Sequence, residues 1–596
     1  MNRNIKNNNK KLEKGTLRIL LSNLGKYKTP SILCPIFTAC ESLMEIMIPF
    51  VIAYLIDLGI EEGNMANVYK YGLIMAAMAL FSLFCGYMAG RTTAEASSGF
   101  AANLREAMYK KIQTYSFANI DKFSTAGLVT RMTTDVTNVQ NAYQMVLRIA
   151  SKTPCMLFLS LIMCFRISPS LSMVFLVAVV FLAICLSIIM VNAGKYYKKT
   201  FVKYDKLNES IEENINGIKV VKAFVREDYE KEKFNLSAKI LRKLYEKAES
   251  FGAIQSPVMM TSIYGCIIGL SWFGAKATYN GSITTGNLTS LFSYIMLILI
   301  SIMMFSMVFI MITMAVTSAQ RIVEVLVEEQ TITNPENPIT DIQNGQIDFN
   351  NVTFKYGKNA EEAALKHVDI HIKSGETIGI IGATGSGKST FVSLLSRIYD
   401  VTEGSVEIGG IDVRKYDLTS LRDAVSVVLQ KNVLFSGTIM SNLRWGKEDA
   451  TLEECMEACK MACADEFIEK KHDKYLEKVE QGGSNFSGGQ KQRLCIARAL
   501  LKSPKVLVLD DSTSAVDTAT DSMIQQAFRA KIPNTTKLII SQRISSVENT
   551  DRIIVMDNSN IVGFDTHENL LKNNEVYKEI FDTQTKGVGD FDELMA

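Results

Sequence analysis

Apolar positions are distributed in two ways along this chain. Up to about residue 320 they form long runs, and from about residue 346 they fall into short blocks separated by polar turns. Six runs stand out: Pro30–Leu58, Val68–Gly90, Tyr143–Phe165, Leu171–Ala193, Ser256–Ala277 and Leu288–Ala315. As a helix, each is long enough to cross a bilayer core of about 30 Å. Their number and length exclude a soluble bundle and predict an all-α six-helix transmembrane domain. The connections over roughly 91–142 and 194–255 are polar, yet keep a helical period with almost no proline. They predict helical extensions of the spans, each residue adding about 1.5 Å of reach. Each extension must reverse, and Phe117–Gly127 and Val221–Phe234 are the expected tips, as short helices that seat on another domain.

Residues Gly15 to Tyr27 carry Leu and Ile at near-helical spacing among Lys14, Arg18 and Lys26. That pattern predicts an interfacial helix on the inner leaflet. Asn334-Pro335-Glu336-Asn337-Pro338 marks a linker, after which short strands and helices alternate. The expected organisation is a cytoplasmic N-terminus with its interfacial helix over 1–28, the membrane domain over 29–320, a linker over 321–345, an α/β domain over 346–585 and a tail over 586–596.

Charge orients the spans. The first 28 residues hold Arg3, Lys6, Lys10, Lys11, Lys14, Arg18, Lys26 and Lys28, the loop Gly59–Asn67 carries Glu61 and Glu62, and both long connections are rich in Lys and Arg. The positive-inside rule places both termini and both connections in the cytoplasm of a multi-pass plasma-membrane protein. A formal net charge of +2 implies no nucleic-acid partner. None of the 11 cysteines forms a C-x-x-C pair, so neither a zinc site nor a disulfide framework is indicated. Cys455, Cys459 and Cys463 recur every four residues and are expected as a buried small-residue stripe on one helix face.

Candidate chemistry enters at Gly382-Ala383-Thr384-Gly385-Ser386-Gly387-Lys388-Ser389-Thr390, which has the form G-x-x-x-x-G-K-[ST]. An apolar strand (Thr377 to Ile381) precedes it and a helical run from Phe391 follows, the setting a P-loop needs. Glycines let backbone wrap phosphate oxygens, and the helix N-terminus adds N–H donors and partial positive charge. Lys388 would neutralise the outer phosphates of ATP, and Ser389 would ligate Mg²⁺. Leu507-Val508-Leu509-Asp510 is a buried strand ending in a carboxylate suited to hold Mg²⁺ through water. Asn485-Phe486-Ser487-Gly488-Gly489-Gln490 is a second anion-binding turn before a helix.

With these motifs the chain resembles an ATP-binding cassette exporter half-transporter, over about 15–585. The resemblance implies that Ser487, Gly488, Gly489 and Gln490 are the signature that completes the ATP site of a partner subunit, with Phe486 where the family usually has Leu. It implies that Tyr356 stacks on adenine, that Gln430 touches Mg²⁺ and reports to the membrane domain, and that Ser514-Ala515-Val516-Asp517 is the loop through which two cassettes meet, Asp517 included. The implied substrate is a small molecule, lipid or peptide moved out of the cytoplasm or inner leaflet.

Two positions depart from the family pattern. Asp511 stands where a glutamate polarises the attacking water, and Gln542 where a histidine contacts the γ-phosphate. Aspartate is one methylene shorter, and misplacing a catalytic group by about 1 Å can cost on the order of a hundredfold. Glutamine donates a hydrogen bond but never carries positive charge. The expectation is a site that binds ATP and turns it over poorly, in a heterodimer whose second site uses this chain's intact signature. The alternatives are a regulatory ATP-binding subunit that switches without pumping, and a homodimeric slow exporter. Within the first span, Glu41 and Glu45 lie one helical turn apart and are candidates to face a substrate cavity and receive cationic groups.

Overall fold

The computed structural model describes residues 15–357, 362–512 and 516–592. The basic residues before Gly15, and Ser514 and Ala515 of the expected cassette-contact loop, lie outside the described residues. The chain divides into two compact units, Met1–Gln113 with Thr125–Glu328 and Thr114–Ser124 with Glu329–Ala596.

The first unit is all-α. Its described residues include 6 helices long and apolar enough to cross a membrane. Two spans continue into their extensions without a break: Met65–Gln113 is a single 49-residue helix and Pro169–Asn216 a 48-residue one. At 1.5 Å per residue each is roughly 70 Å long. The unit's core gathers around Tyr294, fully buried, whose hydroxyl donates to the carbonyl of Ile46 at 2.8 Å. The last span, Thr285–Val327, closes on the first through Gly286. A Cβ there would sit 2.3 Å from the Ala53 carbonyl oxygen, so only glycine lets these backbones meet.

One expectation changes here. The second tip is a short helix over Ile218–Ala223, not Val221–Phe234, because Gly217 ends the preceding helix and Glu227 already starts the next. Residues 15–22 are helical. Leu20 and Leu24 are buried in protein while Leu17 is exposed, and Asn103 donates to the Asn23 carbonyl at 2.8 Å, so one face of this segment packs on the second span's extension.

The second unit is α/β. A six-stranded sheet runs in the order Asn560–Asp565, Arg552–Asp557, Thr377–Gly382, Thr536–Ile540, Val506–Asp510, Val425–Val428. All its pairings are parallel except that of the first two strands. Strands buried on both faces read as unbroken apolar runs, as Val506–Asp510 does. A four-stranded antiparallel sheet built on Ile347–Phe354 lies beside it, and the stacked rings of Phe349 and Phe391, 4.2 Å apart, sit in the core they share. Helices Leu452–Met461 and Gly488–Leu500 contribute to a second core that takes in Cys455, Cys459 and Phe486. Burial pushes the Cys459 thiol up to about 12. Cys463 leaves the helix predicted for it: the helix ends at Met461, and Cys463 follows with φ 52°, half-buried against the same core. Among the described residues no group of three or more His, Cys, Asp and Glu side chains is gathered as a metal cage would need.

The chain segment Thr114–Ser124, which in sequence joins two membrane helices, belongs to this second unit. Its short helix Phe117–Phe123 opens with a reciprocal cap between Ser116 and Asn119, and Asn119 donates to the Glu329 carbonyl at 3.0 Å.

Candidate nucleotide site

Open parallel sheets bind ligands beyond the carboxyl ends of their strands, and four such ends converge here. Gly382 closes one strand, Asp510 another, and Gln430 and Gln542 follow two more within two residues. Gly382–Gly387 then makes the turn into helix Lys388–Leu395. Gly387 adopts φ 100°, and a Cβ there would press within 2.6 Å of the Ala364 carbonyl oxygen. Gly385, also left-handed at φ 86°, leaves its Cβ direction open. Ser386 is buried under the loop, and Thr384 lies in its turn.

Lys388 lies over this loop, its ammonium donating to the carbonyls of Gly382 and Ala383 at 2.8 Å each. Burial lowers its pKa from 10.5, against the upward pull of Asp510 and Asp511. Ser389 donates to Asp510 Oδ1 at 3.2 Å. Burial raises the Asp510 pKa, and Asp511 beside it adds to the rise. A hydroxyl and a carboxylate this close form a hard-oxygen pair suited to Mg²⁺. These residues therefore fit a nucleotide with its cation.

Asp511 sits with left-handed backbone, φ 47°. Its Oδ2 accepts from Gln430 Nε2 at 3.4 Å and from Gln542 Nε2 at 3.5 Å. The Gln542 loop is held in turn by Gln584 from the last helix, Glu575–Asp592: Gln584 donates to the Gln542 carbonyl at 2.7 Å and accepts from the Ile544 amide at 2.9 Å. Sequence reading missed Gln584, which belongs to no motif.

Tyr356 is 55% exposed, and its hydroxyl shares a hydrogen bond of 2.8 Å with Thr390. The ring lies beside the start of helix Lys388–Leu395. Ser487 caps helix Gly488–Leu500: its hydroxyl accepts from the Gln490 amide, and Gln490 Oε1 accepts from the Ser487 amide at 3.1 Å, with Gly488 exposed and Gly489 half-buried between them. Phe486, in the position the family gives to Leu, is buried against Phe467 and Lys471. Asp517 caps helix Thr518–Lys531, accepting from the amide and hydroxyl of Thr520, and those bonds hold its carboxyl below the usual range.

In the membrane unit, Glu41 and Glu45 converge on one cation that sequence reading overlooked. Lys152 of the third span donates to Glu41 at 2.9 Å and to Glu45 at 2.8 Å. Glu41 is buried, its carboxyl lying against Gly86 of the second span. The pair is thus held among helices, with Lys152 as the partner both carboxyls share.

The fold has a close counterpart among solved structures, a bacterial Atm1-family ABC exporter with ATP bound, at TM-score 0.81 and 23% identity over 94% of this chain and 99% of that one. Family models for the ABC transporter transmembrane region and for the ABC transporter match residues 31–303 and 365–514. A Mycobacterium tuberculosis protein named as an uncharacterized ABC transporter ATP-binding protein is 33% identical across 96% of this chain and 98% of its own length. The chain belongs to the ABC transporter family. The transporter is also 34% identical to the Bacillus subtilis protein YfiB, over 95% of this chain and 98% of that one. It is 31% identical to the ATP-dependent lipid A-core flippase of Desulfotalea psychrophila, over 81% and 84% respectively. Membership implies an ATPase coupled to transport across the bilayer, in an assembly that pairs two cassettes.

Proposed function

We propose that this chain is one half of a heterodimeric exporter, with Mg²⁺-ATP held at a site of its own that hydrolyses slowly. In this reading Tyr356 stacks the adenine, Gly382 to Thr390 wrap the phosphates with Lys388 as counter-charge, and Ser389, Asp510 and Gln430 hold the Mg²⁺, Asp510 through water. Ser487 to Gln490 complete the faster site on a homologous partner, and Asp517 lies where the cassettes meet. Both termini face the cytoplasm. The likeness to a lipid A-core flippase favours a lipid drawn from the inner leaflet over a small molecule or a peptide.

The observation that carries the slow-site reading is the environment of Asp511. Its carboxylate is met by two neutral amides, Gln430 and Gln542. Neither amide can supply positive charge toward a γ-phosphate as a protonated histidine can, and neither accepts a proton at neutral pH. The test is steady-state ATPase of the purified heterodimer. Asp511→Asn should change turnover only modestly, and the matching Glu→Gln change in the partner should remove nearly all of it. Equal losses would mean two equivalent sites.

A further inference from the structure

Tyr399 follows the P-loop helix Lys388–Leu395, in a turn that no nucleotide motif includes. The turn is rigidly built. Arg397 adopts φ 49° and is buried, its Nε donating to Asp400 at 2.8 Å, while Arg422 donates to the carbonyls of Ser396 and Arg397. This frame presents the Tyr399 ring in two directions. On one side it meets Tyr356 edge to face, with centroids 5.3 Å apart and planes at 85°. On the other its hydroxyl donates to Asp121 Oδ2 at 2.9 Å, and its ring lies 6.4 Å from that of Phe117, both on the short helix Phe117–Phe123. Burial, and Asp121 beside it, raise the Tyr399 phenol above its ordinary value, so it stays a donor at physiological pH. Tyr356 in turn bonds Thr390, next to Ser389. One contiguous chain of contacts thus runs Ser389-Thr390, Tyr356, Tyr399, Asp121.

We infer that Tyr399 is a positioning residue that carries occupancy of the base-stacking face of Tyr356 to the helix Phe117–Phe123, through its hydrogen bond to Asp121. The inference rests on the reading of Tyr356 as the adenine platform. The physical route is short. A base stacked on Tyr356 restrains that ring, the restrained edge fixes Tyr399, and a fixed Tyr399 strengthens the bond to Asp121. Edge-to-face pairs and charge-assisted hydrogen bonds are both sensitive to angle, so restraint at one end is felt at the other. The segment receiving the signal joins two membrane helices in sequence, which gives the restraint a covalent path toward the spans. Ser116 and Asn119 have their own ties to Thr331 and Glu329, so the segment stays folded when the Tyr399 bond is removed.

Hydrogen exchange on the full-length chain in lipid nanodiscs, with and without Mg²⁺-ATP, tests this. Peptides spanning 382–390 report nucleotide binding, and peptides spanning 114–124 report the relay. In the parent protein ATP should slow exchange in both, the latter by about fivefold, the scale of one net hydrogen bond. Tyr399→Phe and Asp121→Ala should each keep ATP protection at 382–390 and lose the response at 114–124. Combining them should add nothing further. Asp121→Asn, which keeps an oxygen acceptor, should respond as the parent does. A full response at 114–124 in both single variants overturns the relay, as does a parent segment that ignores ATP while 382–390 is protected. Absence of protection at 382–390 in the parent would instead remove the nucleotide reading itself, and the relay with it.

Discussion

Gln542 reaches the same Asp511 oxygen, at 3.5 Å, that Gln430 reaches at 3.4 Å. The acid is thereby oriented by two donors while its short side chain holds it back. Its left-handed backbone offers a physical reason for the shorter residue, since Asp is several-fold enriched among non-glycine residues in that region. Asp511→Glu should therefore raise turnover at this site, by up to about a hundredfold if reach alone is limiting. It should also lower the thermal midpoint slightly. Single-turnover hydrolysis with the partner's site disabled measures the first effect, and calorimetry the second.

Ser487 has two duties that one substitution confuses. It caps its helix, and in the assembled dimer it would donate to a γ-phosphate. Ser487→Ala should cost about 1 kcal/mol through the lost cap and about a hundredfold or more in turnover through the lost donor. Ser487→Asp should restore the cap, and with it the melting temperature, while leaving turnover abolished because it sets a carboxylate against phosphate. Melting curves and ATPase rates measured side by side separate the two duties.

The lowered pKa of Lys388 gives a pH dependence with a definite sign. Its proton is lost at a lower pH than the ordinary 10.5, because burial penalises the charged form. The counter-charge for phosphate therefore falls away over an alkaline window that is centred below 10.5. ATP affinity should weaken across that alkaline window. In Lys388→Arg the cation does not titrate, so the affinity should stay flat over the same range, whatever its absolute value. Equilibrium binding of ATP across the alkaline range checks the slope.

Lys152 serves two carboxylates at once. Lys152→Met should destabilise the membrane unit by about 3–5 kcal/mol, the usual consequence of stripping a buried charge of its partner. Adding Glu41→Gln and Glu45→Gln to it should recover most of that loss. Thermal unfolding in detergent reads both. If the double Gln change without Lys152→Met impairs export of cationic compounds more than neutral ones, Glu41 and Glu45 also act on substrate.

The second tip bears exposed Val220, Phe224 and Val225, followed by Glu227, Asp228 and Glu230. In the cassette, Phe435 and Trp445 stack in the open beside Lys431, Arg498 and Lys502, so both surfaces expose apolar side chains. We expect the tip to seat on the partner's cassette. Cysteines placed at Val220 and Phe435 of this chain should then fail to link within the chain, while Val220→Cys links to a matching cysteine of the partner. Linkage confined to this chain's own cassette would show that the tips are not exchanged.

The spans could be read from sequence because length and polarity alone define them, and the strand ends could be read because each carries a motif. What could not be read depends on contacts across long sequence separations. Lys152 lies in the middle of the third span and belongs to no motif, and only folding sets it opposite Glu41 and Glu45, more than a hundred residues earlier. Asp121 and Tyr399, separated by 278 residues, belong to no period and no motif. The tip at Ile218–Ala223 did leave a local signal, Gly217, which interrupts a polar helix where the period continues on both sides. Cys463 shows the limit of spacing arguments: its four-residue interval is real, but the helix ends before it arrives.

Gln584 ties the helix Glu575–Asp592 to the loop of Gln542 by two hydrogen bonds. The stiffness of that loop is therefore set partly by a segment remote from every phosphate contact in sequence. An affinity handle or reporter fused onto this helix is consequently an effector of the ATPase. Rates taken on such a fusion would describe the graft together with the transporter, so handles are better carried at the opposite end of the chain.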